Sequence, residues 1–149
     1  MRLDEMIARE EIRGLLDHYN NCGDRGAVEE MVEAFAEDAV LDIAAGTFQG
    51  RSAILDFMRG VRERGALTGA SGGIAPRPVR HHLTTCRIAL DGPEAARAWT
   101  YFLVVRDGAI LQNGLYVDRF ACAGGRWAIA HRRIKMEYDL VRAGETATS

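Results

Sequence analysis

Two histidines stand side by side, His81 and His82, in a run (VRHHLTTCRIAL) whose β-branched and apolar residues predict a strand. Adjacent strand residues point to opposite faces, which argues against both binding one metal ion and turns one imidazole inward. A buried imidazole needs a partner, and a carboxylate is the one that also stabilises its protonated form. A satisfied core histidine and a general base share this description, and residue types alone leave both open. Among the carboxylates Asp24 stands out. It lies in Cys22-Gly-Asp-Arg-Gly26, a tight polar connection between two predicted helices, where a short acidic side chain can be aimed inward. Asp42 falls in mid-strand, and Asp118 sits in Tyr116–Arg119, where an ion pair with an arginine is the simpler account. His18, beside Asp17, reads as an exposed helix residue, and His131 as a structural residue of the last strand.

Tyr101, Asn113, Tyr116, Trp99 and Thr84 are strand residues able to line a cavity, although alternation sends about half of such positions outward. Tyr19 belongs to the apolar face of the first helix and is a further candidate for contact with a ligand. Cys22, Cys86 and Cys122 are odd in number and widely spaced, so free thiols are expected rather than a disulfide framework or zinc site. No dinucleotide fingerprint, phosphate loop, nucleophile elbow or HExxH occurs, and Gly69–Gly73 does not join a strand to a helix.

The elements that must position these residues divide into a helical front and a β-rich back. Leu3, Met6, Ile7, Ile12, Leu15, Leu16 and Tyr19 recur at helical spacing and predict an amphipathic helix over about residues 3–21, ended by Gly23. Val28, Met31, Val32 and Phe35 predict a second, shorter helix closed before Asp38. Residues 39–43 and 47–48 read as a hairpin around Gly46. A third helix follows Gly50, with Ser52 as its N-cap and Ile54, Leu55, Phe57, Met58 and Val61 as its buried face. Residues 65–78 form one long Gly- and Pro-rich loop, of the kind that serves as a lid or binding loop. From Val79 onward four long strands are separated by turns at Asp91-Gly-Pro93, Arg106-Asp-Gly108 and Ala123-Gly-Gly125. Three helices on a long, curved antiparallel or mixed sheet make an α+β cone with a hydrophobic cavity between the layers. The length, 149 residues, fits one domain with a core over about 3–138 and a tail over 139–149.

The formal charge of −2 argues against nucleic acid as partner, and no apolar run approaches the ~20 residues that span a bilayer. The opening MRLDEMIAREEIRGLL mixes charges through its apolar positions, unlike a signal peptide, so a cytoplasmic location is expected. A long outer sheet face carrying Trp99 or Trp127 would be bare in a monomer, which predicts a homodimer through that face.

Several local patterns resemble the nuclear transport factor 2-like superfamily, and within it the SnoaL-like and scytalone dehydratase-like branch. They are the helix with Ile12, Leu15 and Tyr19; Phe35-Ala-Glu-Asp-Ala39 as a turn; Gly50 with Ile54; and His81-His82 at a strand start. Ala98-Trp-Thr-Tyr101, Gly114-Leu-Tyr-Val-Asp118 and Gly125-Arg-Trp-Ala-Ile129 complete the series, over about residues 3–135. The resemblance implies a cone-shaped fold and a cofactor-independent dehydratase or isomerase acting on a hydrophobic cyclic or polyketide- or steroid-like carbonyl compound. It places the dyad's aspartate at Asp24 and its histidine at His82, with His81 one residue away as the alternative. Tyrosines that bind the substrate carbonyl in the dehydratase correspond to Gly23 and Ile43 here, and its second histidine has no counterpart among Ala95–Val105. The electrophile is then sought in Tyr101, Tyr116 or Asn113. Two other readings share the fold: a non-catalytic protein that binds a hydrophobic ligand, and the structural β subunit of an aromatic-ring dioxygenase.

Overall fold

The computed structural model describes residues 1–65 and 78–140. Three helices, α1 (Leu3–Asp24), α2 (Val28–Met31) and α3 (Arg51–Glu63), lie with strands β1 (Phe35–Ile43) and β2 (Gly46–Gln49) in the first half. Strands β3 (Arg80–Leu90), β4 (Ala95–Arg106), β5 (Ala109–Ala123) and β6 (Arg126–Asp139) make up the second. The sheet order is β2-β1-β6-β5-β4-β3. Every pair is antiparallel except β1 with β6, so the curved sheet is mixed, and it stays open between β2 and β3.

Ile12, Leu16, Tyr19 and Cys22 follow one another at three- and four-residue steps and form the buried stripe of α1. The helix runs past its expected end at Gly23. That glycine stays helical in a tight place, where an added Cβ would sit 3.0 Å from the Met31 sulfur. Gly26, at φ 71°, makes the break, and the Ala27 N–H closes the helix end on the Cys22 carbonyl at 2.9 Å. Asp24 is therefore the last helical residue, not a member of the connecting loop.

The second predicted helix shrinks to the single turn α2 and a 3₁₀ turn over Val32–Ala34, and Phe35 is already strand. Pairing of Phe35 with Ile129 of β6 outweighs the helical spacing of its side chain, so Phe35–Ala39 opens β1 instead of forming a turn. The N-cap of α3 is Gly50, at φ 89° with no side-chain cap bond, one place before the helix begins, and Ser52 lies inside. Phe57 of α3 stacks on Phe48 of β2 with centroids 4.3 Å apart, which pins this helix over the sheet edge.

In β4, Ala96, Ala98, Thr100, Phe102 and Val104 alternate inward, and in β5 Gly114, Tyr116, Asp118 and Phe120 do the same. A Cβ at Gly114 would overlap the Lys135 carbonyl oxygen and come within 2.8 Å of Phe102 Cζ, so only glycine lets the Phe102 ring lie flat there. Register shifts place an extra residue in β3 between Leu83 and Cys86, in β5 at Leu111, and in β6 at Ala130 and Glu137. An extra residue reverses which alternate positions of its own strand face in. The expected loop over residues 65–78 lies, but for its two end residues, outside the described residues, as does the expected tail over 139–149 beyond residue 140.

Glu29 of α2 accepts hydrogen bonds from Arg62 and Arg59 of α3, at 2.8 and 3.0 Å for the shortest of each. These bonds draw its carboxyl from an ordinary 4.5 down to about 2. A depressed folded-state value means that the contribution to stability is complete above 4.5 and fades as pH falls toward 2. The carboxylate is exposed, so the effect is modest. Thermal denaturation between pH 6 and pH 2 should show a shallower acid-side fall for Glu29→Gln than for the parent protein.

Candidate functional site

Strand β3 begins directly beside the C-terminal end of α1, and this junction brings His81 to Asp24. Imidazole Nδ1 lies 2.6 Å from Asp24 Oδ1, and the backbone N–H of the same histidine donates to Oδ2 at 2.9 Å. Both carboxylate oxygens are thus taken by one residue. The side chains are 22% exposed for His81 and 9% for Asp24, so solvent competes little with the bond. A carboxylate opposite Nδ1 assigns the proton to that nitrogen and leaves the Nε2 lone pair unspent. Among the described residues, none bonds to Nε2.

His82 is exposed on the opposite side of β3. The inward imidazole is His81, one residue from the position that the resemblance favours, as the alternation of strand side chains requires.

His81 borders a cavity of about 310 Å³ held between the helices and the concave face of the sheet. Met31, Ile43, Phe57, Met58, Val61, Val79, Phe102, Val104, Ile134 and Met136 make most of its wall apolar. Polar atoms enter through Tyr19, Asn20, Tyr116 and Gln112. The Tyr116 hydroxyl donates to Asn20 Oδ1 at 3.1 Å, and Asn20 Nδ2 donates to the Leu16 carbonyl at 2.9 Å. Burial pushes the Tyr116 hydroxyl well above its ordinary pKa, and it raises that of Tyr19. Tyr116 is therefore a poor acid whose proton is already engaged.

Beneath these rings lies an ion pair with no exposure. Arg132 Nε and Nη2 donate to the two oxygens of Asp118 at 2.9 and 2.8 Å, a two-pronged contact across β5 and β6. The guanidinium carbon sits 4.2 Å from the centroids of both Tyr19 and Tyr116. Nη1, which has no hydrogen-bond partner among the described residues, belongs to a cation pressed on two π faces. Burial works against this charge, but Asp118 more than offsets it and holds Arg132 above its ordinary pKa. The arginine that pairs with Asp118 is thus a cross-strand neighbour rather than Arg119.

The other candidates separate by face. Tyr19 and Tyr116 line the cavity. Tyr101 is 52% exposed and shares a hollow on the outer face with Asn113, Leu103, Leu115 and Glu137. Trp99 is also outside, its ring flanked by Arg87 and Arg97 at 5.7 and 5.6 Å. Trp127 faces the start of α1, with Ile7, Ala8 and Glu11. His18 is half-buried, its Nε2 2.7 Å from the Glu30 carbonyl, and so ties α1 to α2. Asn20 and Gln112 escaped the sequence reading. Asn20 stands four residues after Leu16 on the stripe of α1, a signal that was present, whereas Gln112 takes the inward place expected of no particular residue beside Asn113. Among the described residues no group of three or more His, Cys, Asp or Glu is placed to hold a metal ion.

A mixed, unclosed sheet wrapped by helices around such a cavity is the nuclear transport factor 2-like, or cystatin-like, fold. The family model of the SnoaL-like domain matches residues 4–133, and the chain belongs to that family. An NTF2-like protein from Novosphingobium aromaticivorans is similar in structure, with TM-score 0.78 and 23% identity over 97% of this chain and 91% of that one. A candidate scytalone dehydratase from the same organism gives 0.74 and 19%, over 93% and 89%. The hexachlorocyclohexane dehydrochlorinase LinA-type3 from Novosphingobium barchaimii LL02 gives 0.72 and 18%, over 91% and 90%. Among curated proteins no match was found.

Breaking the buried pair tests whether it supports the cavity floor. Asp118→Ala leaves an uncompensated guanidinium and should cost about 3–5 kcal/mol in urea denaturation, whereas Asp118→Leu combined with Arg132→Met should recover most of that loss.

Proposed function

We propose that this protein is a cofactor-independent lyase or isomerase that acts on a hydrophobic cyclic carbonyl compound through His81 and Asp24. The observation that supports this reading is an imidazole fixed by a carboxylate at Nδ1, with Nε2 unspent beside an apolar cavity. In the reaction Nε2 takes a proton from the carbon next to the carbonyl, and the electron pair of that C–H bond moves into the enolate. The imidazolium then gives the proton to a hydroxyl on the β carbon, which leaves as water as the enolate collapses to an unsaturated carbonyl. Return of the proton to another carbon instead gives isomerisation. Asp24 stays ionised and stabilises the imidazolium between the two transfers. Protons and electrons balance within substrate and dyad, so the scheme calls on no cofactor. Proteins named for dehydration and for dehydrochlorination share the fold, and each name denotes loss of hydrogen with a group from a neighbouring carbon.

The exchange of α hydrogens for deuterium in 1-tetralone, followed by NMR in D₂O, reads the first step without knowledge of the natural substrate. Wild-type protein should accelerate exchange, His81→Ala should lose about 10²-fold or more, and Asp24→Asn should fall strongly. His82→Ala should stay near wild type. Equal rates for wild type and His81→Ala would overturn the assignment and favour a protein that only binds its ligand.

The same reading takes the protein as a cytoplasmic homodimer joined through the outer sheet face. Exposed Tyr101 with half-buried Leu103 and Leu115 forms an apolar strip that a second copy would cover. Sedimentation at micromolar concentration should give a dimer that Tyr101→Glu dissociates; a wild-type monomer would refute the pairing.

A further inference from the structure

His81 of β3 pairs with Val104 of β4, and Val104 pairs with Gln112 of β5. The three stand in one row across the sheet, and all three line the cavity. With strands about 4.8 Å apart, the backbones of His81 and Gln112 are about 10 Å apart, and their side chains rise from the same concave face over Val104.

Among the other polar groups in the wall, Asn20 and Tyr116 are bonded to each other, and Tyr19 has its ring face against Arg132, so that its hydroxyl is the one polar end left besides Gln112. The Gln112 amide has no hydrogen bond to any described residue, although the side chain is half-buried among apolar neighbours. An amide in that setting gains by finding a ligand group of the right polarity. It is neutral and carries both a donor and an acceptor, which suits a carbonyl oxygen better than a carboxylate or phosphate.

We propose that Gln112 is the second anchor of the site: its amide N–H donates to the carbonyl oxygen of a one- or two-ring ketone whose α carbon faces His81 Nε2. The assignment rests on the proton-transfer reading and adds to it a substrate class and the missing electrophile. As the α proton leaves, charge gathers on the oxygen, and the amide bond to it strengthens at that moment. A cavity of about 310 Å³ lies at the small end for ligand sites and fits one or two rings.

The test compares 1-tetralone with tetralin, a pair of nearly the same shape in which only the first has the carbonyl. In titration calorimetry wild-type protein should bind the ketone about tenfold more tightly than the hydrocarbon. Gln112→Met should bring the two affinities together while leaving that for tetralin unchanged, which also shows an intact cavity. His81→Ala should keep the ketone preference although it stops deuterium exchange. In Gln112→Met, exchange at saturating ketone should fall by about 10-fold or more. A ketone preference that survives Gln112→Met, or is absent from wild type, overturns the anchor. Loss of exchange in His81→Ala would still stand in either case, so failure of the anchor and failure of the base are read separately.

Discussion

The site depends on a single carboxylate committed to a single residue. Asp24 holds the ring of His81 with one oxygen and its backbone N–H with the other. Gripping both ends of the side chain fixes the imidazole's direction as well as its proton. This demands that a helix end and a strand start meet, and the length of α1 is what arranges it. With Gly23 helical and the break deferred to Gly26, Asp24 remains on rigid backbone. The cramped contact of Gly23 with Met31 and the hydrogen-bonded helix end therefore help to set the geometry of the His81–Asp24 pair, though neither touches it.

Below the dyad the molecule buries charge where apolar packing would serve stability as well. Arg132 and Asp118 have no exposure, and their neighbours are the rings that line the cavity. The guanidinium against Tyr19 and Tyr116, with Phe102 stacked on Tyr116 at 4.5 Å, gives the floor one defined arrangement. An all-aliphatic floor has more ways to repack. Gly114 completes the layer by giving Phe102 room to lie against the strand. The floor is a polar layer sealed beneath an apolar one, and it lends the cavity shape without lending it charge.

Much of the fold was legible in the sequence because it rests on periodicities longer than one strand. The stripe of α1, the turn at Gly46 and the glycine-marked ends of the long strands all appear where their spacing predicts. The second helix was not legible, because its apolar spacing competes with a β partner, Ile129, nearly a hundred residues away. In the site Asp24 was legible as the odd acid in a helix corner, and a histidine was legible at the strand start. Which histidine was not. Parity along a strand is set by register, and adjacent polar residues give the hydrophobic pattern nothing to choose with. The same ambiguity exchanged Asn113 for Gln112, in a strand that carries an extra residue, Leu111, just before it. For Asp118 the ion pair with an arginine was legible and its partner was not: Arg119 beside it in sequence is exposed, and Arg132 lies directly across the ladder.

The distribution of polar groups also argues for the kind of chemistry the cavity suits. An imidazole already held by a carboxylate, an uncharged amide and a wall of aliphatic and aromatic carbon offer no strong electrostatic grip on a ligand. On the proposed reading, binding comes from shape and apolar area, and acidity comes from the substrate itself, through a carbonyl or a good leaving group. Low polarity serves the proposed transfer, since it strengthens the attraction between Asp24 and an imidazolium formed beside it. Such a site can keep its base and change its substrate by altering the residues that set cavity shape, such as Ile43, Phe57, Val61 and Met136. That division of labour gives a physical reason for one fold to carry names as different as dehydratase and dehydrochlorinase.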